Sequence, residues 1–510
     1  MVRKVALSLT AAALLVGAVS GKTYSDKTFL MPRSQLSNIP LEHTIWHKNL
    51  HRKADSRYNG TIQVVPFYQE SEDKKNIGKY FGFYWAEDTA NDITAGIVNE
   101  IGVSPAGTAE KRLFRGNQII HSHTAVVPLR ANYKFEPDQK IYGARLFYHQ
   151  DLDRILNGLF LRFNAPIVDV KNDMNITSLC TEVKSRLSEG NAIAIAGKEY
   201  GFLDYLSGDI ENLDDEGNRQ EPLRYAKITG GSHSASGIAD VEATLGYTFW
   251  HKGRLRATLM GSLIIPTGST PNGHYIFEPV YGNGHHWGIT VNLDESCILW
   301  KRENKYVELS FVAKYKYLFE SVEKRTLGIK SEDIPLTNFS SSGAAYRYVL
   351  GGESGQQKVF PLANVLTQDL RVSPGSQYES TINLSLVCKK FTLDIGYDFY
   401  AKEKEHVALK YLWNDDTYGV ANVAYNTTDA NGFNLTNGDH SLLTINEENL
   451  DFEPVITPDQ ITSKVYAAIG YECDRWQYPV MFGLGGSYEV SKNNSALENW
   501  TLWGKLGISW

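Results

Sequence analysis

Apolar and polar residues alternate one for one over long stretches of this chain. Over 239–250, Val241, Ala243, Leu245, Tyr247 and Phe249 alternate with Asp240, Glu242, Thr244, Gly246 and Thr248. Over 306–319, Val307, Leu309, Phe311, Ala313, Tyr315, Tyr317 and Phe319 alternate with Glu308, Ser310, Val312, Lys314, Lys316 and Leu318. At 391–399, Phe391, Leu393, Ile395, Tyr397 and Phe399 alternate with Thr392, Asp394, Gly396 and Asp398. Segments 125–135, 158–168, 254–266, 286–300, 380–388, 463–474, 478–490 and 499–510 follow the same rule, some less cleanly. A repeat of two puts successive side chains on opposite faces, which predicts strands with one apolar and one polar face. Helical amphipathicity would place apolar residues three and four apart, and these segments do not.

Strand length separates two architectures. Soluble sandwiches use strands of about 5–6 residues, whereas strands that cross an outer membrane need about 9–11. Most segments here reach or exceed the longer figure. Short links follow 250, 300, 388 and 474, and the long ones are 267–285, 320–379 and 402–462. Short turns on the periplasmic side and long loops outside are the pattern of a membrane barrel. That assignment sends the last strand downward to end in the periplasm. A sheet with an open edge would leave backbone groups unpaired in lipid, so the sheet must close. Nine strands fall between 238 and 510. Candidates before that point are 60–70, 79–86, 124–135, 141–150 and 158–168, and 87–122 has room for another hairpin. The polar stretch 169–237 reads as a long outer loop. The expectation is an all-β, transmembrane, antiparallel up-and-down barrel of about 14 strands (range 12–16) with long extracellular loops.

The N-terminus changes the compartment. Arg3 and Lys4 precede an uncharged run, VALSLTAAALLVGAV, and Ala18 and Ser20 have the spacing of a cleavage site. This is the order of a secretory signal, and the apolar run is short for a spanning helix. Residues 1–20 are read as signal peptide, 21–58 as a periplasmic N-terminal segment or plug, and 59–510 as the barrel. The stretch 22–58 is rich in cations: Lys22, Lys27, Arg33, Lys48, Arg52, Lys53 and Arg57 against Asp26, Glu42 and Asp55. It could fill a lumen, as in fatty-acid-type transporters, or hang as a solvated tail, and the tail is the favoured reading.

Composition sharpens rather than drives the picture. The chain has 510 residues, 29 Tyr, 21 Phe and 10 Trp, and a formal charge of −7. Mean hydropathy is −0.31, because lipid-facing residues are offset by polar ones on the other face. The acidic balance gives no basis for nucleic-acid binding, and four cysteines exclude a disulfide scaffold. Phe249, Trp250, Trp300 and Trp510 fall at periplasmic strand ends, and Trp287, Phe319, Phe399 and Trp500 at outer ends, as two aromatic girdles would require.

The chain ends in WTLWGKLGISW, with Trp500, Leu502, Gly504, Leu506, Ile508 and Trp510 on one face. This resembles the C-terminal strand of Gram-negative outer-membrane proteins, which the barrel-assembly machinery recognises. By that resemblance Leu502, Leu506, Ile508 and Trp510 form the assembly signal. It departs from the stricter form in placing Lys505, not glycine, five residues before the end. A second, shorter resemblance covers 237–288. There GIADVEA, a strand, LIIPTGS and YGNGHHWG look like the outer-membrane family linked to phenol-degradation pathways. The resemblance implies a barrel, one for hydrophobic or aromatic small molecules, and identifies no binding residue. Pro266-Thr267-Gly268 also reads as a strand exit and turn, and that plainer reading is preferred.

Strand parity gives the inward face. Its acids are Asp240, Glu242, Asp294, Glu308, Asp394, Asp398, Glu472 and Glu489. Its bases are Arg130, Lys134, Arg162, Arg254, Arg256, Lys314, Lys316, Lys464 and Lys505. Buried charges need water or partners, and a near balance argues against strong charge selectivity. The candidate lumen-lining set is Arg130, Arg162, Asp240, Glu242, Arg254, Arg256, Asp294, Glu308, Lys314, Lys316, Asp394 and Asp398. No catalytic residue, metal site or cofactor is expected. His121 and His123 lack further ligands, His285-His286 lies in a Gly-rich loop end, and no nucleophile motif appears. Cys297, Cys388 and Cys473 should remain thiols, because downward strands are about 9.6 Å apart at best and a disulfide needs Cα atoms within ~7 Å. The leading expectation is an outer-membrane channel of porin type for passive passage of small solutes, with membrane lipid and the assembly machinery as partners. The alternatives are a surface-exposed structural or adhesive barrel acting through loops 169–237, 320–379 and 402–462, and a plugged transporter of hydrophobic small molecules.

Overall fold

The computed structural model describes residues 23–45, 59–81, 133–178, 193–195, 198–200, 202–209, 221–330, 345–354, 359–421, 442–473 and 477–510. One antiparallel sheet dominates. Its strands are β1 (Gly60–Ser71), β2 (Asp138–Asp151), β3 (Leu159–Asp173), β4 (His233–Ile238), β5 (Val241–Lys252), β6 (Leu255–Ile265), β7 (Gly288–Arg302), β8 (Lys305–Leu318), β9 (Gly375–Cys388), β10 (Phe391–Lys402), β11 (Gln460–Cys473), β12 (Val480–Ser491) and β13 (Asn499–Ser509). Each strand pairs with its neighbours in sequence, except that β4 and β5 do not pair with each other, and there are two further contacts. First and last strands meet, Thr61 opposite Ser509 and Tyr68 opposite Leu502. The upper half of β3 pairs with β4 and its lower half with β5. Twelve strands therefore close a barrel, and β4 extends β5 upward past a break at Ala239–Asp240.

All nine strands expected after residue 238 are present, and the closed count lies at the lower end of the expected range. Before 238 the barrel holds three strands, not five. The run 79–86 is not a strand where it is described: residues up to Phe81 belong to a helix, Lys74–Phe81. That helix buries Ile77, Tyr80 and Phe81, at helical spacing, in a core above the barrel. Only 133 onward of segment 124–135 is described, and Tyr133–Lys134 pair with Thr177–Ser178, outside the barrel sheet. The signal segment 1–20, stretch 46–58, His121, His123, Arg130 and Cys180 lie outside the described residues.

The two faces differ as alternation demands. Leu245, Leu259, Val291, Ile395, Ile469, Leu484 and Leu502 point outward and are about half exposed. Trp250 and Trp300 are exposed at the short-turn end, Trp287 and Phe319 at the other. An apolar belt of this kind, flanked by exposed rings, is a lipid-facing surface. Among the described residues no helix is long and apolar enough to cross a membrane. Cys297, Cys388 and Cys473 are thiols. β10 lies between the strands of Cys388 and Cys473, since Cys388 pairs with Phe391 and Phe391 with Tyr471.

Outside the membrane the described parts of the long links are packed together. They fold over the barrel mouth around one apolar core that includes Tyr80, Phe135, Tyr205, Ile276, Leu327, Tyr348, Leu366, Leu370 and Val455. A three-stranded sheet of Ser321–Thr326, Thr367–Ser373 and His406–Leu409 forms part of this cap. Beneath it, residues 23–45 run down through the barrel interior. Leu36, Ile39, Leu41 and Ile45 are all at most 4% exposed.

Candidate functional site

The strands bring inward-facing charges to the axis, and the N-terminal segment answers them. Arg33 lies among three carboxylates from three strands: Glu379 of β9 at 2.7 Å, Asp398 of β10 at 2.8 Å and Glu489 of β12 at 2.9 Å. Its guanidinium also lies over the Tyr400 ring, 4.6 Å from the centroid. Lys464 of β11 completes the cluster, 3.0 Å from Glu489. Planar guanidinium donors suit several carboxylates at once, a geometry an ammonium lacks.

Below Arg33 the segment turns through a short helix, Ile39–His43, with Pro40 in its first turn, where a missing N–H costs nothing. The Ile39 N–H donates to Glu379 (2.8 Å) and the Ile45 N–H to Asp394 (2.5 Å). Lys505 of β13 donates to the carbonyls of Glu42 and Thr44 at 2.9 and 2.8 Å. Arg145 of β2 donates to the carbonyls of Gln35 and Asn38, Arg162 of β3 meets Glu42 at 3.3 Å, and Lys316 of β8 donates to Ser37. Strands from around the barrel circumference thus bind one segment.

Ile45 anchors the lower end. Its φ is +73°, a strained value for a β-branched residue. Its side chain fits a notch made by Gly470 and Gly483: a Cβ on either glycine would come within 1.9 or 2.2 Å of an Ile45 methyl carbon. Trp503, the one bulky ring on the polar face of β13, is buried nearby and lies across Gly485. These interior glycines face a side chain from another part of the chain, so no local pattern could have explained them.

The remaining predicted lining residues divide by position. Glu242 pairs with Lys314 at 2.7 Å and accepts from Thr290, and Arg256 lies 3.6 Å from Asp294. Asp398 and Asp394 also accept from Thr381 and from Asn383 and Ser385. Glu308 is buried. Arg254 is a correction: it sits in the two-residue turn between β5 and β6 and is exposed, because the strand stops at Lys252 and parity no longer applies. Asp240 is buried, but it does not line the lumen as an open wall. Its carboxylate accepts from the Gly268 N–H at 3.0 Å and is packed against Gly268 and Gly282. The Gly237-to-Asp240 and Pro266-Thr267-Gly268 features are thus one clasp joining a strand break to a turn.

A cavity of about 30 Å³ beside Arg33, Gln35, Asn38, Gln69, Gln139 and Glu489 is of water size. Higher up, Arg325 joins Glu323 and Glu405 at 2.6 and 2.7 Å, and Glu323 accepts from His286 at 2.8 Å. Burial alone would raise the Glu405 carboxyl, but Arg325 and Lys402 hold it well below its ordinary range. Arg325 lies 3.8 Å over the ring of Phe29, so the cap also grips the segment. In Glu278, which accepts from the Asn272 and Gly273 N–H groups, burial prevails and lifts the carboxyl to about 8. Among the described residues no group of three or more His, Cys, Asp or Glu could hold a metal ion.

No family model and no curated protein matches this chain. Similar solved structures include an outer-membrane channel from Pseudomonas putida F1, at 9% identity and TM-score 0.35, with 89% of this chain and 96% of that one covered. The Pseudomonas putida toluene transporter TodX has 9% identity and TM-score 0.32, with 96% and 97% covered. The translocator domain of the autotransporter NalP from Neisseria meningitidis has 8% identity and TM-score 0.28, with 93% and 95% covered. Such scores describe a general likeness, and the assignment rests on the closed strand register and the apolar belt. Sheet closure, lipid-facing residues and girdles together make the chain a twelve-stranded transmembrane β-barrel of the Gram-negative outer membrane.

Proposed function

We propose that this barrel is an outer-membrane transport channel held shut by its own N-terminal segment. The observation that carries the reading is Arg33, seated on carboxylates of β9, β10 and β12 in the middle of the lumen. A purely structural barrel could fill its interior with wall side chains; here the filling is a separate segment bound through reversible ionic and hydrogen-bonded contacts. The walls it leaves behind carry Glu, Asp, Lys, Arg, Asn and Thr, which suits small polar solutes and disfavours an apolar cargo. Passive passage then requires residues 23–45 to shift or leave. The reading includes no enzymatic step.

Planar-bilayer recording tests it. The full chain should show rare, brief openings, and a chain lacking 23–45 but refolded to the same heat-modifiable form should show long, discrete steps. Equal conductance in both would remove the segment from any gating role. Absence of steps in both would remove the channel itself.

A further inference from the structure

The short-turn end of the barrel carries an uneven charge. Three successive hairpins, β5–β6, β7–β8 and β9–β10, close with two-residue turns in which Gly253, Glu303 and Lys389 have φ of +64°, +50° and +55°. Lys252, Arg254, Lys301, Arg302, Lys305 and Lys389 are all exposed on these turns, with Glu303 as the opposing charge. No carboxylate among the described residues lies within ion-pair distance of any of the six. The concentration is local: the β2–β3 link has Asp151 and Asp153 against Arg154, and the whole chain is net negative.

Immediately above these turns the surface becomes apolar. Phe249, Trp250, Leu255, Leu299, Trp300 and Phe391 are each about half exposed. Lys252 lies 5.5 Å over the Trp250 ring. Cations in a row with indole rings and then aliphatic side chains above them reproduce, in order, what a phospholipid presents: phosphate, glycerol interface and acyl chain. Turns on alternate strand pairs lie about 10 Å apart, so the sector faces several neighbouring headgroups.

We propose that this sector, from β5 to β10, is a binding surface for anionic phospholipid of the periplasmic leaflet. It would fix the rotational setting and depth of the barrel, with the acidic β2–β3 side left to zwitterionic lipid. A soluble acidic partner would match the cations but not the exposed rings above them, so lipid is the better occupant.

The test refolds the full chain into phosphatidylcholine vesicles. They contain brominated phosphatidylcholine or brominated phosphatidylglycerol at equal mole fraction. Tryptophan quenching is read as the difference between the unmodified protein and the Trp250→Phe/Trp300→Phe variant. At low salt the anionic lipid should win at these two rings by roughly threefold or more. Near 1 M salt, where the Debye length is about 3 Å, the preference should vanish. Replacing the six cations with Gln should abolish it as well, with correct folding checked by heat-modifiable mobility. Equal quenching by the two lipids at low salt overturns the proposal. So does a preference that survives high salt or the six-fold replacement. The salt series uses the unmodified protein and decides the matter even if that variant does not fold.

Discussion

Replacing Arg33 with Gln should unlock the lumen. The side chain has three carboxylate contacts at 2.7 to 2.9 Å, and Arg33 and its three partners are each at most 11% exposed at the side chain. Removing the cation leaves Glu379, Asp398 and Glu489 with Lys464 as their nearest remaining ion-pair partner, which lies on Glu489. Breaking a buried ionic cluster from one side costs about 3–5 kcal/mol, most of it from charge left without compensation. If that cost falls on the seated state of residues 23–45, the ratio of released to seated segment rises roughly a hundred- to several-thousand-fold. A channel that opens rarely should then be open for much of the record. Single-channel open probability reads this directly, and limited proteolysis of the N-terminal segment provides a second measure. The matched control carries Arg33→Gln with Glu379→Gln and Asp398→Asn, and keeps Glu489 as the partner of Lys464. With no stranded carboxylates, it should recover much of the seating. Unchanged open probability and unchanged protease resistance in Arg33→Gln would refute the reasoning. So would a control variant no better seated than Arg33→Gln alone.

Four further outcomes follow from other parts of the molecule. Gly470→Ala should loosen the lower anchor, because the new Cβ would fall 1.9 Å from an Ile45 methyl carbon; the expected loss is about 1–3 kcal/mol, and Ile45→Ala in the same chain should restore protease resistance. Glu278, lifted to about 8 by burial, stabilises the folded cap most below the unfolded carboxyl range and loses that contribution as pH rises toward 8. Proteolysis of the cap should therefore be faster at pH 9 than at pH 5 by an equivalent of roughly 3–5 kcal/mol, and Glu278→Gln should flatten the difference. Glu295 faces lipid between Ala257 and Phe311, so Glu295→Leu should stabilise the barrel by about 1–3 kcal/mol in a urea titration in vesicles; equal or lower stability would show that this carboxylate has a partner. Thiol titration of the unfolded, unreduced protein should find Cys297, Cys388 and Cys473 reactive, and a Cys388–Cys473 bond detected by mass spectrometry would contradict the strand order.

What could be read from the sequence was whatever alternation records. Leu245, Leu259, Val291 and Leu502 could be placed outward, and Glu242, Asp294 and Asp398 inward, because a strand fixes each face by parity over a few residues. Parity fails where the strand fails, which is why Arg254 was misplaced by a two-residue turn. Apolar content misleads for a different reason. Ile77, Tyr80 and Phe81 are as apolar as a lipid-facing strand, but their burial is in the cap, and only their three-and-four spacing tells the two apart. The partner of Arg33 was beyond any local pattern: its carboxylates lie hundreds of residues away and converge only once the barrel closes.

Counting inward charges says nothing of where around the lumen they lie. A near-equal tally of wall acids and bases fits water, dense ion-pairing or both. Setting aside the pairs within the wall, Lys464 with Glu489 and Lys314 with Glu242, the wall is locally unequal: Glu379, Asp394 and Asp398 crowd the β9–β10 side, while Arg145, Arg162 and Lys316 lie on β2, β3 and β8. The segment matches each side with its complement, Arg33 toward the acids and the carbonyls of Gln35 and Asn38, with Glu42, toward the bases. A segment matched to both walls is held in one register, and sliding it along the axis would set Arg33 and Glu42 out of reach of their partners together. On the proposed reading, opening should be an all-or-none release rather than a graded shift, and the conductance steps of partially weakened variants should keep their size and change only in frequency.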